Sequence, residues 1–160
     1  MFNLENKNII ITGASSGIGL ELVNYFTSLG ANIILLSRNI DKIKDISKLL
    51  GKEYPKQMFR AYELDISIYE QTKLVFSKII EDFKRIDVLI NNAGITDDNI
   101  IARMSETQWN SVINTNLNGT FNCAKFSSKQ MMKQKFGKII NISSIIGQIG
   151  NKGQSNYSAS

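Results

Sequence analysis

The chain has 160 residues, of which 42% are hydrophobic and 21% are charged, as expected for one globular domain of ordinary size. It contains no histidine and one cysteine, which excludes intrachain disulfides, histidine-based triads and the usual zinc sites. The first five residues lack the basic start and apolar core of a signal peptide, and no apolar run has membrane-spanning length. We therefore expect a cytoplasmic protein without a metal or a membrane partner.

The net charge is +5, and the lysines form two loose clusters. The clusters are Lys42, Lys44, Lys48, Lys52 and Lys56, and then Lys125, Lys129, Lys133, Lys135 and Lys138. They are interpreted either as solvated helix faces or as a surface that attracts an acidic partner. Nucleic acid is disfavoured because aromatic residues are not interleaved with the lysines.

Short apolar runs alternate with segments of helical periodicity, which predicts a parallel sheet with crossover helices. The expected strands are residues 7–12, 32–37, 58–64, 86–91 and 138–143. The expected helices are residues 17–29, 41–50, 68–83 and 106–134, with a potential break near Asn118 and Gly119, and another helix begins near Ser155. A glycine-containing loop is expected over residues 147–153. The pattern indicates one α/β domain over residues 1–160, a doubly wound parallel sheet in a three-layer α/β/α arrangement.

Several residues mark where these helices begin and end. Gly30 and Gly51 are expected to stop the first two helices. Ser67 is expected to cap the third, and Ser105 with Gln108 resembles a capping box.

A glycine turn joins the first strand to the first helix, with Gly13, Gly17 and Gly19 spaced as GxxxGxG. Strand, glycine turn and helix together present free backbone N–H groups to a phosphate at a helix N-terminus. Many tight turns use such glycines for structural reasons alone, but the flanking strand and helix favour a nucleotide site.

Ligands of doubly wound sheets bind beyond the carboxyl ends of the strands. Arg38 follows the second strand with no acidic neighbour, which favours the 2′-phosphate of NADP, although a surface arginine is the alternative. Asp65 follows the third strand and either starts a helix or contacts the adenine. Small residues at 92–94 follow the fourth strand, and Ser144 follows the fifth, with Tyr157 thirteen residues beyond it.

Together these motifs resemble the short-chain dehydrogenase/reductase family. They are TGASSGIG at residues 12–19, NNAG at 91–94, Ser144 and Tyr157, and Asn116 matches the family's catalytic asparagine. The match covers residues 7–160, and the stretches 91–104 and 147–157 are similar to the 3-oxoacyl-[acyl-carrier-protein] reductase branch. The resemblance implies a Rossmann-like fold and NADP(H) as the cofactor.

The resemblance also implies site residues. The catalytic set is Asn116, Ser144 and Tyr157, of which Ser144 and Tyr157 hold the substrate carbonyl. The cofactor set is Gly13, Ala14, Ser15, Ser16, Gly17, Ile18, Gly19, Arg38, Asp65, Ile66, Asn92, Ala93, Gly94 and Tyr157. Many NADP enzymes of the family carry a basic residue where this chain has Ser16, so the NADP preference rests on Arg38.

The chemistry of carbonyl reduction agrees with those roles, because an alkoxide in formation needs a hydrogen-bond donor and a proton source. The family adds a lysine four residues after the tyrosine, which stabilises the phenolate, and this sequence ends at Ser160, before that position. It therefore resembles the first two-thirds of such an enzyme, lacking the last strands and helices. We expect the 160-residue chain to be inactive and marginally stable, with strand five as an exposed apolar edge. The helical residues Trp109, Val112, Ile113 and Phe121 are also expected to lose their packing partner.

The expected partner is an acyl carrier protein, contacted by Lys133, Lys135 and Lys138 near the mouth of the site. In its full-length form, a homotetramer is expected from the family. The alternatives are a reductase of another ketone or sugar, or a non-catalytic nucleotide-binding remnant. A flavodoxin-like signalling domain is disfavoured by the set of Asn116, Ser144 and Tyr157.

Overall fold

The computed structural model describes residues 3–160, so Met1 and Phe2, which begin the segment examined for a signal peptide, lie outside it. The strands are β1 (Asn8–Thr12), β2 (Asn32–Ser37), β3 (Phe59–Glu63), β4 (Val88–Asn91) and β5 (Lys138–Asn141). The helices are α1 (Gly17–Ser28), α2 (Ile40–Glu53), α3 (Tyr69–Phe83), α4 (Glu106–Val112), α5 (Gly119–Gln134), α6 (Ile146–Ile149) and α7 (Ser155–Ala159). All five expected strands are present.

The strands form one parallel sheet in the order β3-β2-β1-β4-β5. The chain moves outward from β1 in one direction through β2 and β3, and then in the other through β4 and β5. Because all strands are parallel, their carboxyl ends meet at one edge of the sheet. The change of direction falls between β1 and β4, where such folds bind ligands.

Alternate residues of β1 face two different apolar cores, which makes the fold three-layered. Ile10 packs with residues of α3 and α5, including Phe76 and Met131. Ile9 and Ile11 pack on the opposite face with residues of α1 and α2. Residues 33–36 of β2 are likewise buried on both faces, as their continuous apolar run predicted. The doubly wound, Rossmann-like α/β/α fold is confirmed.

The predicted capping box is present at the start of α4, where Ser105 Oγ accepts from the Gln108 N–H at 3.1 Å. The prediction that Ser67 caps the third helix is wrong. Its hydroxyl donates instead to Oδ1 of Asp65 at 2.6 Å, and the cap position is Ile68 without a side-chain bond. The Asp65 carboxylate is the stronger acceptor and engages the hydroxyl in a local turn.

Three helix boundaries differ from the prediction. Gly51 does not stop α2, which continues to Glu53 because the Tyr54 N–H still bonds to the Leu50 carbonyl at 2.8 Å. The expected long helix contains a π-helical segment, Ile113–Asn118, and it does not break at Gly119, whose backbone stays helical. The expected loop at 147–153 begins inside the short helix α6.

The surface of this long helical stretch is only partly as predicted. Trp109 and Phe121 are exposed, whereas Val112 is fully buried and Ile113 is partly buried. Within residues 3–160, no helix combines the length and apolar character needed to cross a membrane.

Strand β5 is an exposed edge, since it pairs with β4 alone and all four of its residues are exposed. Unpaired apolar edges promote intermolecular strand pairing. We expect Ile140→Lys to slow aggregation of the chain several-fold, as measured by light scattering. The control is Ile101→Lys, which removes an exposed isoleucine from a turn outside the sheet. An equal effect of both substitutions would show that general solubility, and not the edge, is responsible.

Candidate functional site

A cavity of about 330 Å³ lies at the carboxyl ends of β1 to β4. Its lining combines the glycine turn with the residues that follow the next three strands. The predicted cofactor residues that line it are Gly13, Ser15, Ser16, Ile18, Arg38, Asp65, Ile66, Asn92, Ala93 and Gly94. The lining residues absent from the predicted set are Leu36, Ser37, Leu64, Ile95 and Thr115. The structure therefore brings most of the predicted set together in one place.

The other predicted residues of the turn lie behind this lining. Ala14 is fully buried, and its N–H donates to the Leu36 carbonyl at 3.2 Å, which anchors the turn to β2. Gly19 is also buried, and a Cβ placed on it would overlap the carbonyl oxygen of Gly13 and lie 2.7 Å from Asn92 Nδ2. Gly13 itself has φ +67°, a conformation that favours glycine. Ala14 and Gly19 therefore shape the turn without lining the cavity, whereas Gly13 does both.

Helix α1 begins at the cavity without a side-chain cap. The Ser16 side chain accepts no capping bond, and the first turn contains no acidic residue. The helical bonds begin where the Leu20 N–H donates to the Ser16 carbonyl at 3.2 Å. The earlier N–H groups of a helix have no intrahelical acceptor, so this end provides donors and partial positive charge for an anion.

Thr12 joins the glycine turn to the segment after β4, and the sequence reasoning gave it no role. Its buried Oγ1 accepts from the N–H groups of Asn92 and Ala93, both at 3.0 Å. In return, Asn92 Nδ2 donates to the Thr12 carbonyl at 3.0 Å. A hydroxyl residue at the end of a buried strand is the signal that could have identified it.

The end of β2 supplies a hydroxyl pair and a cation. Ser37 Oγ donates to Ser15 Oγ at 3.0 Å, which links the strand end to the glycine turn. Arg38 is exposed beside them at the cavity. Among residues 3–160 its side chain takes part in no salt bridge, so its charge remains available to an anion.

Asp65 begins the turn toward α3, and its contact with an adenine stays a prediction. Its Oδ1 accepts from the backbone N–H of Ser67 at 3.0 Å, which turns the chain toward α3. The residue also lines the cavity next to Ile66.

Asn116 lies in the π-helical segment and holds the chain just after β4. Its Oδ1 accepts from the Ile95 N–H at 2.8 Å, and its Nδ2 donates to the Ile95 carbonyl at 3.0 Å. The same Nδ2 lies 3.0 Å from Oγ of Ser160. Asn116 thus contacts a cavity residue and the end of α7, although it does not line the cavity. Isolated π-helical turns are frequent at functional sites.

Ser144 and Tyr157 do not line the cavity. Ser144 follows β5, and its Oγ accepts from the Ile146 N–H at 3.2 Å. Tyr157 is half-buried on α7, which packs against α6, α4 and the π-helical segment. Tyr157 therefore lies on an element that contacts the π-helical segment of Asn116, whereas Ser144 precedes α6, which contacts α7.

Asn156, which the sequence reasoning missed, fixes the start of α7. Its side chain is 0% exposed, and Nδ2 donates to the carbonyls of Asp97 at 2.8 Å and Gln108 at 3.2 Å. Its Oδ1 accepts from the Tyr157 N–H at 2.8 Å. A buried, fully engaged amide next to Tyr157 ties that residue to the loop after β4 and to α4.

The expectation that Lys133, Lys135 and Lys138 lie near the mouth of the site is wrong. Lys138 is the first residue of β5 and is in register with Val88, the first residue of β4. The other two belong to the end of α5 and the turn that follows it. These positions lie at the amino ends of the strands, whereas the cavity lies at the carboxyl ends. The direction of parallel strands places the lysines on the far side of the sheet.

Cys123 and Tyr62 have shifted pKa values but do not line the cavity. Burial raises the pKa of the Cys123 thiol to about 12, so the thiol stays protonated and packs in the core. Burial and the hydrogen bond to Asp82 raise the pKa of Tyr62. We therefore assign both to packing.

The model of the short chain dehydrogenase family matches residues 7–160. The chain belongs to this family. It is 43% identical over 161 aligned positions to a 3-oxoacyl-[acyl-carrier-protein] reductase of Thermotoga maritima, covering 98% of this chain and 63% of that protein. It is 38% identical to the Escherichia coli protein of the same name, covering 98% of this chain and 62% of that protein.

A solved structure gives the same fold. A crystal structure described as a putative short-chain alcohol dehydrogenase from Sinorhizobium meliloti superposes with a TM-score of 0.92 at 27% identity. The alignment covers 99% of this chain and 62% of that one. The chain thus spans less than two-thirds of the length of these relatives.

Proposed function

We propose that this chain forms the cofactor-binding part and much of the catalytic part of an NADPH-dependent reductase. The proposed substrate is a 3-oxoacyl group on an acyl carrier protein, and the product is the 3-hydroxyacyl group of fatty acid biosynthesis. The cavity at the uncapped start of α1, with Arg38 beside it, is the observation that carries the proposal. The names of the most similar relatives support the substrate.

The cavity residues fit a dinucleotide with a 2′-phosphate. The uncapped N–H groups of α1 and its lack of acidic first-turn residues suit a pyrophosphate. Arg38 and the hydroxyls of Ser15 and Ser37 suit a 2′-phosphate, since residues 37–39 at the end of β2 include no acidic residue to bind a ribose 2′-hydroxyl. Asp65 and Ile66 would meet the adenine, and residues 92–94 the ribose side.

A bound nicotinamide cofactor would supply the hydride. The residues of this chain would act on the carbonyl oxygen of the substrate. The Ser144 hydroxyl would donate a hydrogen bond to that oxygen, and the Tyr157 phenol would deliver the proton that completes the alcohol. Asn116 would fix the main chain of Ile95, a cavity residue, through the two hydrogen bonds between its side chain and that residue.

The cofactor preference is tested by replacing Arg38. We expect Arg38→Leu to weaken NADPH binding about 10- to 100-fold, which corresponds to the loss of one charge-assisted contact. NADH binding should change little, because NADH has no 2′-phosphate. Both dissociation constants can be measured by titration calorimetry on the 160-residue chain. Arg60→Leu serves as the control, since Arg60 is exposed on β3 and does not line the cavity. Equal losses for NADPH and NADH would reject the 2′-phosphate role.

The substrate is tested separately, in the whole protein as its gene encodes it. NADPH oxidation should be faster with a 3-oxoacyl-[acyl-carrier-protein] than with simple ketones or sugars. Faster turnover of a small ketone would instead indicate a different reductase of the same family.

A further inference from the structure

Helix α5 packs against the loop between β3 and α3 that contains Ile66. Gly119, at the start of α5, is buried against it, and a Cβ added there would lie 2.5 Å from Cγ1 of Ile66. Since real Cβ atoms do not approach so closely, only glycine allows the helix to lie this near the loop.

One helical turn further along, Asn122 binds the same loop. Its side chain is 4% exposed, and Nδ2 donates to the Ile66 carbonyl at 2.9 Å. Thr72 Oγ1, on α3, lies 3.4 Å from the same carbonyl oxygen. The Ile66 carbonyl is therefore held mainly by Asn122, because the one hydroxyl proton of Thr72 has a closer acceptor in the Ile68 carbonyl at 3.0 Å.

Asn122 does not line the cavity, whereas Ile66 and Asp65 do. Any effect of Asn122 on a ligand must therefore act through the position of the Ile66 peptide. We propose that Asn122 is a positioning residue for the part of the cavity formed by Asp65 and Ile66, the base-binding wall. This inference rests on the proposed cofactor function. By fixing the Ile66 carbonyl, it sets how the neighbouring peptide groups face a purine base.

The chemistry of the purine provides a test that a merely structural role would not satisfy. Adenine carries an amino group and an acceptor nitrogen at positions where hypoxanthine carries a carbonyl and an N–H. A wall in a fixed position discriminates between the two bases, and a displaced wall discriminates less. The measured quantity is the dissociation constant of the hypoxanthine analogue divided by that of NADPH, a ratio above one when the site prefers adenine.

We expect Asn122→Leu, which keeps the volume but removes the donor, to weaken NADPH binding about three- to tenfold. Binding of the hypoxanthine analogue should change little, so the ratio falls toward one. Asn122→Asp keeps the shape more closely and should also lower the ratio. It provides the test if the leucine variant does not fold. The control is Ser127→Ala, which alters a buried side chain of the same helix whose hydroxyl has no partner within residues 3–160.

Equal weakening of both ligands by the Asn122 variants, or an unchanged ratio, would overturn the positioning role and leave the proposed function standing. A wild-type chain that binds NADPH without discriminating the bases would overturn it as well. A wild-type chain that binds neither dinucleotide would instead refute cofactor binding itself, and the inference with it.

Discussion

Replacement of Gly19 by alanine is expected to eliminate measurable NADPH binding and to lower the free energy of unfolding by about 2 kcal/mol or more. The added Cβ would overlap the carbonyl oxygen of Gly13 and lie 2.7 Å from Asn92 Nδ2. Neither neighbour can yield at low cost, because Gly13 belongs to the turn and the Asn92 amide is bonded to the Thr12 carbonyl. The turn would have to move away from the segment after β4, and the cavity would lose its shape.

The measurements are urea unfolding and NADPH titration on the same preparation. Gly51→Ala is the matched control, since a Cβ at Gly51 meets nothing within 4 Å and the residue lies inside α2. That substitution should stabilise the chain by about 0.5–1 kcal/mol, because alanine favours the helix over glycine. NADPH affinity of Gly19→Ala equal to that of the wild type would contradict the close approach seen at this turn.

Replacement of Thr12 by valine should destabilise the chain by about 2–5 kcal/mol, since two backbone N–H groups lose their acceptor. Those groups belong to Asn92 and Ala93, and both bond to Thr12 Oγ1 at 3.0 Å inside the fold. Valine has nearly the shape of threonine, so the packing is preserved and the missing hydroxyl accounts for the loss. NADPH binding should weaken as well, because these residues line the cavity.

Thr12→Ser retains the hydroxyl and removes one methyl group, and it should cost only about 1 kcal/mol. The free energies of unfolding of the two variants, compared at one temperature, separate the hydroxyl from the methyl group. Similar values for serine and valine would show that Oγ1 is not what joins the two segments.

Much of the fold was predictable from local sequence. Residues 33–36 form an uninterrupted apolar run, which is typical of a strand buried on both sides, and β2 is such a strand. The capping box at Ser105 and Gln108 involves residues three apart, so its geometry is already determined by the helix. The same holds for the glycine turn, whose spacing between a strand and a helix indicated where the cavity would be.

Interactions between distant segments were not predictable in this way. One local interaction also went unpredicted, since Ser67 was expected to cap a helix and its hydroxyl instead bonds to the Asp65 carboxylate two residues earlier. The lysines after α5 were expected near the site, and the direction of β5 places them at the opposite end of the sheet. Thr12, Asn122 and Asn156 bond to segments far along the chain, and a single sequence does not show those pairings.

The sequence by itself determined the strands, most of the helices and the glycine turn, because these depend on periodicity and on the backbone freedom of particular residues. It also supplied the motifs that identify the family. Only the tertiary structure decided which side chains support that turn and the cavity beside it. Those contacts depend on strand order and helix packing, which bring together residues such as Thr12 and Asn92, or Ile66 and Asn122, from opposite parts of the chain.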